Sequence, residues 1–247
     1  MVDLKTLDVF YSLHSFQEDE LRNKTVVIID VLRASSSIVT ALKNGAKAII
    51  PVADMGEASK IAQNVDSENY LLCGEKDGIK IEGYDLGNSP VEFSKEIVGG
   101  KTLIFNTTNG TKAIKKAVGA QNIYVAAFLN VSAIVKVLQA QKKDVVLLCA
   151  GWKGRLAFED MLLAGQIIHL LGSGELPDES RDGAKVAYGL FDKYGDDIPT
   201  VIHQTNHASR LKALIGTDDI DYCCQVDTTD IIPRLKEGMI TLDNGKT

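Results

Sequence analysis

Four short stretches of the sequence gather carboxylates, cations, hydroxyls and glycines closely enough to act together. The first is TVVIIDVLRASSS (25–37), an apolar run that delivers Asp30, then Arg33, then the hydroxyls of Ser35, Ser36 and Ser37 where a helix is expected to begin. The free N–H groups of a helix start bind anions, and a nearby arginine adds a bidentate donor fork. The purely structural alternative is N-capping by Ser35 or Ser36 with Asp30 paired to Arg33. The second stretch, CGEKDG (73–78), sets Glu75 and Asp77 in a glycine-bounded loop, with Asn88 following in GNSP (87–90). Hard oxygen ligands on a short loop suit Mg²⁺, which completes its shell with water and substrate oxygens. An acidic turn facing solvent would have the same sequence. The third, FNTTNGT (105–111), strings Asn106, Thr107, Thr108, Asn109 and Gly110 ahead of a helix as a nest of donors for phosphate or sulfonate. The fourth, CAGWKGR (149–155), carries Trp152, Lys153 and Arg155, with Glu159 and Asp160 in the helix after it.

These stretches complement one another, offering cations and N–H donors for a dianion and carboxylates for a divalent metal. No Ser–His or Cys–His pairing favours acyl transfer, so phosphoryl transfer is the expected chemistry. Other signatures fail at specific positions. The triplets Gly100-Lys101-Thr102 and Gly245-Lys246-Thr247 lack the first glycine of a P-loop, because Lys95 and Ile240 stand there. Gly172-Ser173-Gly174 has Pro177 where a dinucleotide fingerprint needs its third glycine. An aspartate-based phosphatase of the haloacid-dehalogenase type needs a second Asp two residues after Asp30, and Leu32 is there. His203 and His207 share the i, i+4 spacing of a zinc-protease helix without its glutamate, and read as a solvated or structural pair. Cys73, Cys149, Cys223 and Cys224 have no metal-binding spacing and read as reduced, hydrophobic thiols.

Apolar runs of strand length alternate with helix-length stretches, the pattern of βα units around a largely parallel sheet. Strands are expected over 26–32, 48–52, 70–73, 102–106, 123–128 and 145–150, and helices over 36–44, 56–65, 90–97, 110–117, 131–139 and 157–170. The reactive stretches then fall at the C-terminal ends of strands, where open α/β sheets build their sites. After Gly174, helices are expected over about 176–195 and 200–214 and strands at 222–226 and 239–242, as an extension packed on the same sheet. The expectation is one three-layer α/β/α domain over 1–247.

With 27 Lys+Arg against 33 Asp+Glu the net charge is −6, and no basic cluster marks a nucleic-acid binder. MVDLKTLDVFYS at the N-terminus holds two Asp and no long apolar core, so neither a signal peptide nor a membrane span is expected, and the cytoplasm is the expected location.

In order and spacing, VVIIDVLRASSSIVTAL, CGEKDGIKIEGYDLGNSP, FNTTNGTKAI, CAGWKGRLAFEDMLLAG and the later YCCQVDTTDIIPRLKEGMI closely resemble the 2-phosphosulfolactate phosphatase (ComB) family, from about Asp8 to Leu242. The resemblance implies a Mg²⁺-dependent acid phosphatase that converts (R)-2-phospho-3-sulfolactate to sulfolactate and phosphate, a step of coenzyme M biosynthesis. The family usually carries threonines after the Arg-Ala pair, and Ser35, Ser36 and Ser37 keep the hydroxyls. On this reading Mg²⁺ is held by Asp30, Glu75 and Glu159 or Asp160. Arg33 and the three serines take the phosphate, and Asn88, Thr107, Thr108 and Gly110 are further substrate-binding residues. Asn109, Lys153 and Arg155 meet the carboxylate or sulfonate, and Asp30 serves as nucleophile or metal ligand. The partner is thus a small phosphorylated and sulfonated acid, with no nucleic acid or membrane and a homo-oligomer left open. A phosphomonoesterase of broader specificity and a non-catalytic anion sensor are the competing readings.

Overall fold

The computed structural model describes residues 6–64, 67–141 and 143–243. The Gly245-Lys246-Thr247 triplet, the first five residues and the last residue of the helix expected over 56–65 lie outside them. In chain order the strands and α-helices are β1 (Leu7–Phe10), β2 (Thr25–Ile29), α1 (Ala34–Lys43), β3 (Ala48–Pro51), α2 (Met55–Ala62), β4 (Tyr70–Lys76), β5 (Ile79–Lys80), α3 (Lys95–Val98), β6 (Thr102–Asn106), α4 (Gly110–Lys116), β7 (Asn122–Ala126), α5 (Val131–Gln139), β8 (Val145–Cys149), α6 (Phe158–Leu171), α7 (Asp182–Tyr194), α8 (Ile198–His203), α9 (Asn206–Ile215), α10 (Asp218–Cys223), β9 (Pro233–Lys236) and β10 (Met239–Leu242).

The ten strands form one sheet in the order β1-β8-β2-β7-β9-β10-β3-β6-β4-β5. Two parallel blocks, β1-β8-β2-β7 and β3-β6-β4, are joined by the antiparallel β9–β10 hairpin, through Tyr124 opposite Arg234 on one side and Ile240 opposite Ile49 on the other. Central strands buried on both faces read as unbroken apolar runs, and TVVII in β2 does so because helices cover the sheet twice. Alternate residues divide between the two layers. Val27, Ile29, Leu147 and Cys149 pack with residues of α5, α6, α7 and α9, whereas Val26, Ile28, Val146 and Leu148 pack with residues of α1 and α4. This is the expected three-layer α/β/α architecture. Because α1, which follows β2, and α6, which follows the neighbouring β8, lie on opposite faces, a crevice opens at the C-terminal ends of these two strands.

Several expectations change on contact with tertiary structure. The run at 222–226 is the end of α10 and the turn after it, because Ile220, Cys223 and Cys224 enter the core at helical spacing. The helix expected over 90–97 is two short turns, Pro90–Glu92 and α3, with Phe93 between them packed on Phe105 at 6.1 Å. The stretch at 200–214 is broken at Thr205, whose hydroxyl accepts from the Ala208 N–H and starts α9. The C-terminal strands sit inside the sheet rather than upon it, with polar PRLK in β9 held by pairing on both sides. All four cysteines are free and buried, and burial pushes their thiols up. No helix among the described residues is long and apolar enough to cross a membrane.

Candidate active site

Strand β2 ends one residue before Asp30, and the turn into α1 is built from the side chains around it. The Asp30 N–H donates to Ser35 Oγ at 2.7 Å, the Ser35 N–H returns a bond to Asp30 O at 2.8 Å, and the Ala34 N–H reaches Asp30 Oδ1 at 3.3 Å. No described donor reaches Asp30 Oδ2, and the residue lines a pocket with Arg33, Glu75, Asn88, Thr108, Asn109, Lys153 and parts of α9. Burial pushes its carboxyl up from 3.8 to about 6, with Glu75 and Glu159 adding to the rise and His207 and the Ala34 N–H opposing it.

The serines do not meet that pocket as expected. Ser35 is spent on Asp30, Ser36 donates to Val31 O at 2.9 Å, and Ser37 donates to Asn88 O at 2.9 Å. All three are buried inside the turn they shape, because a hydroxyl without a partner there would be costly. Thr107 is likewise turned inward, exchanging bonds with Thr111, whereas Thr108 and Asn109 line the pocket. Gly110 allows this convergence. A Cβ there would overlap Ala34 Cβ and stand 2.8 Å from Asp30 Oδ2, so only glycine lets α4 approach Asp30 this closely. Gly110→Ala is expected to destabilise the fold by about 1–3 kcal/mol as an overpacked contact, and to lower any activity that uses Asp30. Chemical denaturation and turnover of the same preparation check both.

Arg33 pairs not with Asp30 but with Asp219 from α10. Its Nη1 lies 2.5 Å from Asp219 Oδ2 and its Nη2 donates to Gly78 O at 2.8 Å, while Asp219 Oδ1 accepts from Ser89 Oγ at 2.5 Å. The pair is nearly closed to solvent, with side-chain exposures of 4% and 7%. Asn88 is buried in the pocket wall with its Oδ1 unpartnered among the described residues, an acceptor or, with the amide reversed, a donor toward the pocket.

The four carboxylates expected to hold metal fall into different environments. Glu75 accepts from the Thr108 N–H and the Gly78 N–H, both at 2.6 Å, and so ties the 75–78 turn to β6. Asp160 accepts from the Val31 N–H at 2.9 Å and the Gly151 N–H at 3.1 Å, stitching the ends of β2 and β8; burial, then Glu159 and Asp30, push its carboxyl well up. Glu159 Oε1 lies 2.6 Å from His207 Nδ1 and its buried Oε2 has no partner among the described residues. Among the described residues, no three His, Cys, Asp or Glu side chains converge as a cation cage. Asp30, with its bare Oδ2 and Glu75 flanking it, matches instead the sparse ligation of Mg²⁺, in which one or two carboxylates act with water and phosphate oxygens. Asp160 is a structural clasp, and Glu159 is committed to a histidine.

That histidine, Arg210 and Asp219 are the functional candidates that sequence reasoning missed. His203 stays near the surface with Asp221 at 2.7 Å, but His207 turns into the pocket and stacks on Trp152 with centroids 5.0 Å apart. The i, i+4 spacing was a visible signal without its partner, because Glu159 lies 48 positions away. Arg155 is exposed and lines a neighbouring cleft with Phe158, Tyr194 and Gln204, so it does not join Lys153.

Comparison with known proteins matches the chain over nearly its whole length. The family described as 2-phosphosulpholactate phosphatase matches residues 11–238. A probable 2-phosphosulfolactate phosphatase of Caldanaerobacter subterraneus subsp. tengcongensis is 43% identical over 235 residues, covering 95% of this chain and 97% of its own. Relatives of the same description in Clostridium beijerinckii and Thermotoga maritima are 38% and 42% identical, over 96% and 89% of this chain and 99% and 92% of their own. With a match that spans every strand end contributing to the pocket, the chain belongs to the 2-phosphosulfolactate phosphatase family.

Proposed function

We propose that this chain is a Mg²⁺-dependent phosphatase that hydrolyses 2-phospho-3-sulfolactate to 3-sulfolactate and inorganic phosphate. The observation that carries the reading is the pocket at the strand ends, where Asp30 presents a carboxylate oxygen with no donor among the described residues, beside Arg33, Thr108, Asn109 and further cations. The relatives' names supply the substrate. Mg²⁺ held by Asp30, with Glu75 beside it, would supply positive charge to the phosphate oxygens. Arg33, locked by Asp219 and Gly78 O, orients the phosphate with a fork that needs little further ordering.

Hydrolysis breaks the ester P–O bond, adds water oxygen to phosphorus and leaves an alkoxide that must gain a proton. His207 is the group placed to donate it. Glu159 fixes Nδ1 and Trp152 fixes the ring plane, which leaves Nε2 to serve the pocket. The test is release of inorganic phosphate from 2-phospho-3-sulfolactate by purified protein, before and after chelation. Turnover lost in chelator and restored by Mg²⁺ is expected. Full turnover in excess chelator removes the cation from the reaction, and equal turnover of unrelated phosphomonoesters favours a broad phosphomonoesterase instead.

A further inference from the structure

Two cations of this pocket have no ion-pair partner among the described residues. Arg33 is neutralised by Asp219, but Lys153 and Arg210 make no salt bridge among the described residues. Lys153 sits at the tip of a two-residue turn, with Trp152 N and Arg155 O at 2.9 Å and Arg155 N and Trp152 O at 3.0 Å across it. Lys153 and Gly154 both have positive φ, +52° and +73°, the conformation that such a tight reversal requires. The flanking Trp152 stacks on His207 and carries the Lys153 ammonium 5.0 Å above its ring. Arg210 lies one helical turn beyond His207 on α9, so both project from one face into the same pocket. Its Nη2 donates to Asp77 O at 2.6 Å, which pins the guanidinium while the other N–H groups have no described acceptor.

We propose that, of the two substrate anions that are not transferred, Lys153 and Arg210 form the subsite for the sulfonate rather than the carboxylate, and so determine the preference for a sulfonated phosphoester. The inference rests on the phosphatase reading above. A sulfonate is a permanent anion with three acceptor oxygens, and a pinned guanidinium and an ammonium on facing elements meet it without either being drawn from an existing ion pair. The carboxylates of Glu75 and Asp77 share the pocket. Among the described residues neither forms an ion pair with Lys153 or Arg210, and those of Glu75 are turned to the backbone N–H groups of Gly78 and Thr108.

The experiment measures kcat/KM for 2-phospho-3-sulfolactate and 2-phospholactate with wild type, Lys153→Ala, Arg210→Gln and Arg210→Lys. Loss of one charge-assisted bond should compress the preference for the sulfonated substrate by about 10- to 150-fold in Lys153→Ala and Arg210→Gln. Arg210→Lys should recover part of it. A wild-type enzyme that prefers neither substrate, or variants that impair both equally, overturns the subsite and leaves Arg210 as a clamp on the 77–78 turn. If wild type hydrolyses neither compound, the phosphatase reading fails by itself. The subsite is then judged by calorimetry with 3-sulfolactate and lactate, where equal affinities for wild type, or an Arg210→Gln variant that still discriminates between them, overturn it.

Discussion

Asp30→Asn is expected to lower kcat by about 10³-fold or more while making the folded protein more stable. Shape is conserved by the substitution, and the Ala34 N–H and Ser35 bonds around residue 30 can still form. What disappears is the charge, which either a nucleophile or a cation ligand needs. The stability gain has a defined sign. Burial raises the carboxyl from 3.8 to about 6, so the folded state holds a proton that the unfolded chain has already released in this interval. The favourable contribution of the protonated form is present at low pH and is lost as pH rises through about 6, above which the fold carries a buried charge. A rise of this size corresponds to roughly 3 kcal/mol at neutral pH. Melting curves in chelator at several pH values check it. The variant and wild type should coincide near the acid end, separate as pH rises from about 4 to about 6 and keep a constant difference above that, and a variant less stable than wild type at neutral pH would contradict the burial argument. A well-folded variant with near-normal kcat would remove Asp30 from the reaction.

Asp219→Ala is expected to destabilise the protein by about 3–5 kcal/mol, because it leaves the Arg33 guanidinium buried without its counter-charge. Ser89 loses its acceptor in the same change. The double variant Arg33→Met, Asp219→Leu should recover most of that stability, since a buried ion pair replaced by apolar groups of similar size is often neutral or better. Turnover should stay lost in the double variant. Stability and turnover recovering together would make the pair a scaffold only; stability that recovers without turnover identifies Arg33 as a phosphate-binding group that α10 holds in place. Denaturant unfolding of the two variants, read beside their turnover, separates these outcomes.

The legible part of this protein is whatever is encoded by periodicity and by short-range composition. Unbroken apolar runs such as TVVII mark buried central strands, because a strand covered on both faces has no polar side to show. Small polar residues after them mark strand-to-helix turns, and so Asp30, Glu75, Thr108, Asn109 and Lys153 could be assigned to one edge of a sheet before any coordinates. The three-layer architecture follows from the same alternation.

Tertiary structure alone decided which of those polar groups face the pocket and which are used up holding it. Ser35, Ser36 and Ser37 look like anion ligands in sequence, yet each hydroxyl is engaged by backbone groups a few residues or 51 residues away, because a buried turn must satisfy its own donors and acceptors first. Asp160 and Glu159 are adjacent in the chain but serve different partners, one clasping two strand ends and the other orienting His207, since consecutive helical residues point in directions about 100° apart. Arg33 finds Asp219 at a separation of 186 residues, and α9 brings His207, Arg210 and Leu211 to a pocket whose other residues all come from the first 153. Pairings of that range leave no periodic trace, because their geometry is set by how helices fold back over the sheet and not by spacing along the chain.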